Sequence, residues 1–303
     1  MSRFLWLVRR ELWEHKAIWV APVVVIGCLI VLVLTGNVHL GPGGALDHSA
    51  AFDELPAQVQ LRVLMVVYAG LALVVFMVMG VVAFFYSLDA LYADRRDRSV
   101  LFWKSMPLSD VETVLSKYAV ALVVIPLVAV AGAIVAQFVV ATGGAAKLSV
   151  AGISAGFMFR PEAILGGISI ALLWCVTAVL WYAPVISYLM LASAWAPRGP
   201  FLWAVLPPVA LWVLERVVVG SEYVGDFITE RLFGLYGLLG ERRGGEDVLE
   251  GDFQSEMTEL SNVDPIGSLR DFYGSPELWL GVAAAAALLA AAIWVRRYRD
   301  ETS

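Results

Sequence analysis

The amino-acid sequence predicts an all-α membrane protein with six transmembrane helices, and three observations carry that prediction. Of its 303 residues 60% are hydrophobic and only 16% charged, and the mean hydropathy of +0.78 lies far from that of soluble domains. Six long stretches are almost free of charge, each able to cross a hydrocarbon core of about 30 Å at about 1.5 Å per helical residue. The basic residues, finally, alternate in density from one inter-span segment to the next, as they do when a chain is stitched through a bilayer.

Residues 2–16 come first. Phe4, Leu5, Val8 and Leu12 share one helical side, Arg3, Arg10 and Glu14 another, with Trp6 and Trp13 between them. This predicts an interfacial helix lying in the headgroup region, its tryptophans at the boundary and Arg3 and Arg10 toward anionic lipid or a partner. The uncharged run at 17–36 is the first span; it exceeds the apolar core of a signal peptide and lacks a small-x-small cleavage site. A Gly-rich polar stretch at 37–61, with a short helix near 52–60, leads to the second span at 63–88. The third is predicted over 118–142, followed by a Gly/Ala-rich loop up to Phe159. Residues 163–196 form one long span kinked near Pro184. A fifth at 199–221 contains Pro207 and Pro208, and an Ala-rich sixth at 278–295 suits close packing. The segment 222–276 is external, acidic and partly helical; its apolar Leu232–Gly240 stretch is too short to span but able to dip into the outer leaflet.

Between spans 2 and 3 lies the most charged interruption, 93–116. It opens Asp94-Arg95-Arg96-Asp97-Arg98-Ser99 and continues through Trp103-Lys104-Ser105-Met106-Pro107 to Lys117 just beyond. The residue before Pro107 is pushed out of the helical region, which ends a first short helix. Ser109 and Glu112 then have capping-box spacing and start a second. With the amino terminus inside, the inner segments hold 13 of the 21 basic residues, while the outer ones hold the other 8 beside 18 of the 27 acids. The orientation predicted is therefore both termini and the 93–116 element in the cytoplasm, and the chain multi-pass in the cytoplasmic (inner) membrane of a bacterium.

Several chemistries are missing. No G-x-x-x-x-G-K-[ST] phosphate loop occurs, so the chain does not bind ATP in that way. His15, His39 and His48 do not cluster, no metal site is expected, and no catalytic constellation is found. Cys28 and Cys175 lie in apolar runs and read as small buried hydrophobes. The one charged pair within a span, Glu215-Arg216, falls near the outer boundary of span 5. It reads either as structural or as an outer-gate or substrate contact. Charge at the midplane, which ion-coupled transporters normally use, is absent. If the chain works as a pump, its energy enters from another polypeptide.

The layout resembles the membrane subunit, or permease, of an ABC-2-type ATP-binding-cassette exporter. The resemblance rests on the amphipathic leader, the six spans, the acidic-basic start Asp94 to Ser99, the Met106-Pro107-Leu108-Ser109 turn and Lys117; Ser99 stands where the family often has glycine. It implies a coupling helix between spans 2 and 3 in which Asp94, Arg95, Arg96, Asp97 and Arg98 make polar contacts with a separate ABC ATPase subunit. Phe102, Trp103 and Met106 would fill an apolar groove on that motor, with Pro107 in the same coupling element. It further implies a dimer with a second copy or a paralogous permease, ATP and Mg bound by the partner ATPase with no cofactor on this chain, contact with the lipid bilayer, and no nucleic acid. Spans this apolar favour an amphipathic cargo: lipid, peptide or drug-like. The competing reading is a non-transporting membrane scaffold or sensor whose acidic external region binds a partner.

Overall fold

The computed structural model describes residues 3–35, 56–97, 109–150, 155–240 and 272–299. Among these the chain is helical throughout and contains no strand. In order come α1 (Arg3–Glu14), α2 (Ala17–Thr35), α3 (Ala57–Arg96) and α4 (Asp110–Ala119). A single π-helical turn, Val120–Val124, joins α4 to α5 (Ile125–Val150). After a 3₁₀ turn at Gly156–Phe159 come α6 (Pro161–Trp195), α7 (Pro200–Leu214) with a π turn at Glu215–Val219, α8 (Tyr223–Gly240) and α9 (Pro276–Arg299). Six of these units are long and apolar enough to cross a membrane: α2, α3, α4 through α5, α6, α7 with its π turn, and α9. We call the end of the bundle that carries α1 basal and the other apical.

The helices outrun the uncharged stretches of the sequence. α3 spans 40 residues, about 60 Å and twice a hydrocarbon core, so it projects beyond the apolar zone at both ends. Its basal extension, past the expected end at Leu88, is held by α6. There the Ser193 hydroxyl accepts from the backbone amides of Leu91 and Tyr92 at 3.1 and 2.9 Å. The third span runs on to Val150, where a loop was expected from about residue 143. Packing explains the difference: the missing Cβ of Gly143 admits Val33 of α2, and that of Gly144 leaves room for Met158 Sδ, 3.1 Å from where a Cβ would stand. Close approach overrides the low helix propensity of the glycine pair.

Lipid tails are as apolar as leucine, so tight helix contact rather than escape from water holds such a bundle together. The contacts accordingly run through small residues. Ala72, Ala133 and Ala171 meet where α3, α5 and α6 cross, and a larger core of Ile18, Val75, Met79, Val120, Ile125 and Leu189 fills the basal half. α6 is the centre of the bundle, packing along α9 and α3. It begins on Pro161, whose missing amide is no loss in a first turn, and continues through Pro184. Beside that proline the Tyr118 hydroxyl donates to Ala183 O at 3.5 Å and accepts from Ser187 Oγ at 3.2 Å, a polar brace from the neighbouring span. α7 hangs on the outside, with Ala204 as its buried contact. Gly199 and Gly220, at φ of +58° and +72°, make the turns at its two ends, conformations that side chains with a Cβ rarely adopt.

Candidate functional site

The basal end gathers charges that the sequence scatters over almost 300 positions. The capping box fixes the start of α4: the Glu112 amide donates to Ser109 Oγ at 3.1 Å, and Glu112 Oε2 accepts from the Ser109 amide at 3.0 Å. That start places Asp110 at the rim and, two turns on, Lys117 inside. Lys117 Nζ lies 2.9 Å from Glu11 of α1 and 3.4 Å from Asp94 of α3. Arg296, from the last turn of α9, reaches Asp94 at 2.9 Å and Asp110 at 3.4 Å. Glu11, Asp94, Lys117 and Arg296 are each at most 5% exposed. The Tyr86 hydroxyl donates to Glu11 at 3.0 Å, and His15, 3.6 Å from the same carboxylate, sets its ring edge-on to Tyr86.

Two buried acids thus face two buried bases, with Asp110 at the edge. The arrangement is neutral inside and multiply hydrogen-bonded, the condition under which buried ions are tolerated and under which removing one member is costly. Its mechanical meaning lies in its membership. One cluster fastens α1, the end of α3, the start of α4 and the end of α9 to one another.

The residues that the sequence singled out divide accordingly. Asp94 points into the cluster. Arg95 also turns inward, donating to Ser193 O and to Ala196 O at the end of α6, the latter at 2.9 Å. Arg96 and Asp97 are exposed and pair with each other at 3.0 Å, Arg96 also reaching Asp89 at 3.7 Å. Arg98, Phe102, Trp103, Met106 and Pro107 lie outside the described residues. On α1, Arg10 grips Glu14 through two contacts of 2.6 and 3.0 Å, while Trp6 and Trp13 are exposed and flank Arg9. Arg3 is exposed at the helix start. Sequence reasoning missed Glu11, Arg296 and Ser193. A signal for Glu11 existed, because it sits one turn beyond Leu7 on the inward side of an amphipathic helix, where an acid is out of place unless paired.

At the apical end Glu215 closes the turn into α8. Its carboxylate accepts from Ser221 Oγ at 2.6 Å and from the Val224 amide at 2.7 Å, capping that helix from outside it. Arg216 makes an exposed pair with Glu222 at 2.9 Å. α8 leans on α6: Trp181 Nε1 donates to Arg231 O at 3.1 Å and the Tyr182 hydroxyl donates to Leu232 O at 3.0 Å. The Arg231 guanidinium lies 4.2 Å over the Trp181 ring and against Gly281 of α9, where a Cβ would collide with it. Burial lowers the pKa of Arg231, while Glu230 and Glu277 pull it upward. Cys28 is exposed on α2, contrary to the expectation of burial, because among the described residues no helix packs on that face of α2; Cys175 is buried as expected. Among the described residues no group of His, Cys, Asp and Glu is placed to hold a metal ion.

Six helices among the described residues are long and apolar enough to cross a membrane, and an ion cluster ties both flanks of one charged inter-span segment to the bundle. Residues 57–182, which run from α3 through that segment into α6, match the family described as ABC-2 family transporter protein. Over those residues, fewer than half of the chain, the sequence is similar to that family. Comparison with curated proteins and with solved structures returns no match.

Proposed function

We propose that the chain is the permease subunit of an ATP-driven exporter. It pairs with a second permease and two separate ATPase subunits and moves an amphipathic substrate by alternating access. The observation that carries this reading is the basal cluster. The segment between Asp97 and Ser109 is anchored at one flank by Asp94 and Arg95 and at the other by Asp110 and Lys117. A push on that segment is delivered to four elements together, which is what a two-state rocking of spans requires. In this reading Arg96, Asp97, Arg98, Phe102, Trp103, Met106 and Pro107 meet the motor, whereas Asp94 and Arg95 position the segment. Both termini and the basal end are cytoplasmic, and ATP and Mg reside on the ATPase.

The test uses Arg96→Glu combined with Trp103→Asp, which spares Arg95 because that side chain holds the end of α6. Copurification of the cognate ATPase should weaken about 30-fold or more, since loss of a central tryptophan anchor costs about 2 kcal/mol or above. Unchanged copurification together with unchanged substrate-stimulated ATP turnover would sink the reading.

A further inference from the structure

α1 has a second face that the basal cluster does not use. At about 100° per residue, Trp6, Arg9 and Trp13 fall within an arc of about 60°, opposite the buried Leu7 and Glu11, and Lys16 follows in the turn between α1 and α2. Trp6 and Trp13 are 54% and 65% exposed. The Arg9 guanidinium stands between them, 5.7 Å from one ring centre and 4.8 Å from the other. Among the described residues neither Arg9 nor Lys16 has a carboxylate within ion-pair distance, although the adjacent Arg10 is tied to Glu14. Lys16 directly precedes Ala17, the first residue of the apolar helix α2.

We propose that this stripe is a docking site for the headgroup of an anionic phospholipid. Contact with an aromatic ring engages the face of a guanidinium and leaves its in-plane N–H fork for phosphate oxygens, a match that a bidentate arginine makes well. The adjoining span fixes the height of the stripe, since a helix tethered by two residues to an apolar crossing lies at the level of the headgroups. Tryptophans prefer that same level, and the two cations complement its negative charge. The proposal stands whether or not the chain serves an exporter. It adds a consequence: the opposite face of the same helix carries Glu11, so a bound headgroup steadies the carboxylate that holds Lys117.

The experiment places the full-length purified protein in phosphatidylcholine nanodiscs containing a minor fraction of either brominated phosphatidylglycerol or brominated phosphatidylcholine, and reads tryptophan quenching. Brominated phosphatidylglycerol should quench more at equal fraction. The preference should amount to about fivefold in relative association per cation at low salt, and it should shrink as salt is added. Arg9→Gln with Lys16→Gln should abolish the preference and Arg9→Lys with Lys16→Arg should retain it. Trp6→Phe with Trp13→Phe should remove the excess quenching, which locates it. Circular dichroism and monodispersity are checked for each, and the charge-retaining pair controls for folding. Equal quenching by the two lipids in the unsubstituted protein overturns the proposal. So does a preference that survives the glutamine pair, which would put the anionic lipid elsewhere.

Discussion

Replacing Lys117 with methionine keeps most of the side-chain volume and deletes the charge, and the geometry sets the size of the effect. Lys117 is the full cation nearest Glu11, at 2.9 Å, whereas Asp94 retains Arg296 at the same distance. The variant therefore strands chiefly Glu11, with the Tyr86 hydroxyl and His15 as remaining partners. Breaking a buried pair in this way costs about 3–5 kcal/mol, and because Tyr86 still donates, the lower figure applies. The damage is local: α1 swings out so that Glu11 can be hydrated. An opening free energy lowered by about 3 kcal/mol raises amide exchange in α1 about 150-fold. Hydrogen exchange read by mass spectrometry on peptides spanning residues 3–14, in nanodiscs, measures it. Glu11→Gln alone should also accelerate exchange, because it leaves Lys117 to Asp94 alone, whereas Glu11→Gln with Lys117→Met restores a neutral interior of Asp94 and Arg296. The double variant should fall back to within about tenfold of the parent, a coupling that only interacting sites show. Simple multiplication of the two single effects, or a Lys117→Met rate within about twofold of the parent, would refute the account of the cluster.

Two further outcomes follow from the apical end. Glu215→Ala removes a cap from α8 and should cost about 1 kcal/mol, the usual worth of a side-chain cap, visible as faster exchange at 222–226 with the rest of α8 little changed. Gly281→Ala puts a Cβ into the Arg231 guanidinium, so it should loosen α8 from α6 and lower the melting temperature. Combining it with Arg231→Ala should recover part of that loss, since overpacking of this kind costs about 1–3 kcal/mol and is relieved by making room.

The number and order of the spans were legible because a hydrocarbon core imposes a length and excludes charge, and both leave marks in a one-dimensional string. The capping box was legible for a similar reason, since Ser109 and Glu112 answer to each other across three residues. Helix ends were harder. α3 continues to Arg96 because Ser193, about a hundred positions away, accepts two of its amides, and the third span continues through Gly143 because Val33 needs the room. The charged flank of 93–116 stood out, but the division of labour within it did not. Asp94, Arg95, Arg96 and Asp97 read as one run of mixed charge, yet Asp94 turns to Arg296 and Arg95 to Ala196 O, while Arg96 and Asp97 face out. Those choices depend on partners about a hundred residues or more downstream, and nothing local encodes them.

The Asp94 to Arg296 pair joins residues 202 positions apart, and this bears on how the protein is made. While the first three spans are being inserted, Glu11 and Asp94 share a single counter-charge, Lys117. Arg296 emerges from the ribosome only after all six crossings have been synthesised, so the interior reaches neutrality with the last helix. A chain that lacks the last helix carries one more buried carboxylate than buried cation at this end of the bundle.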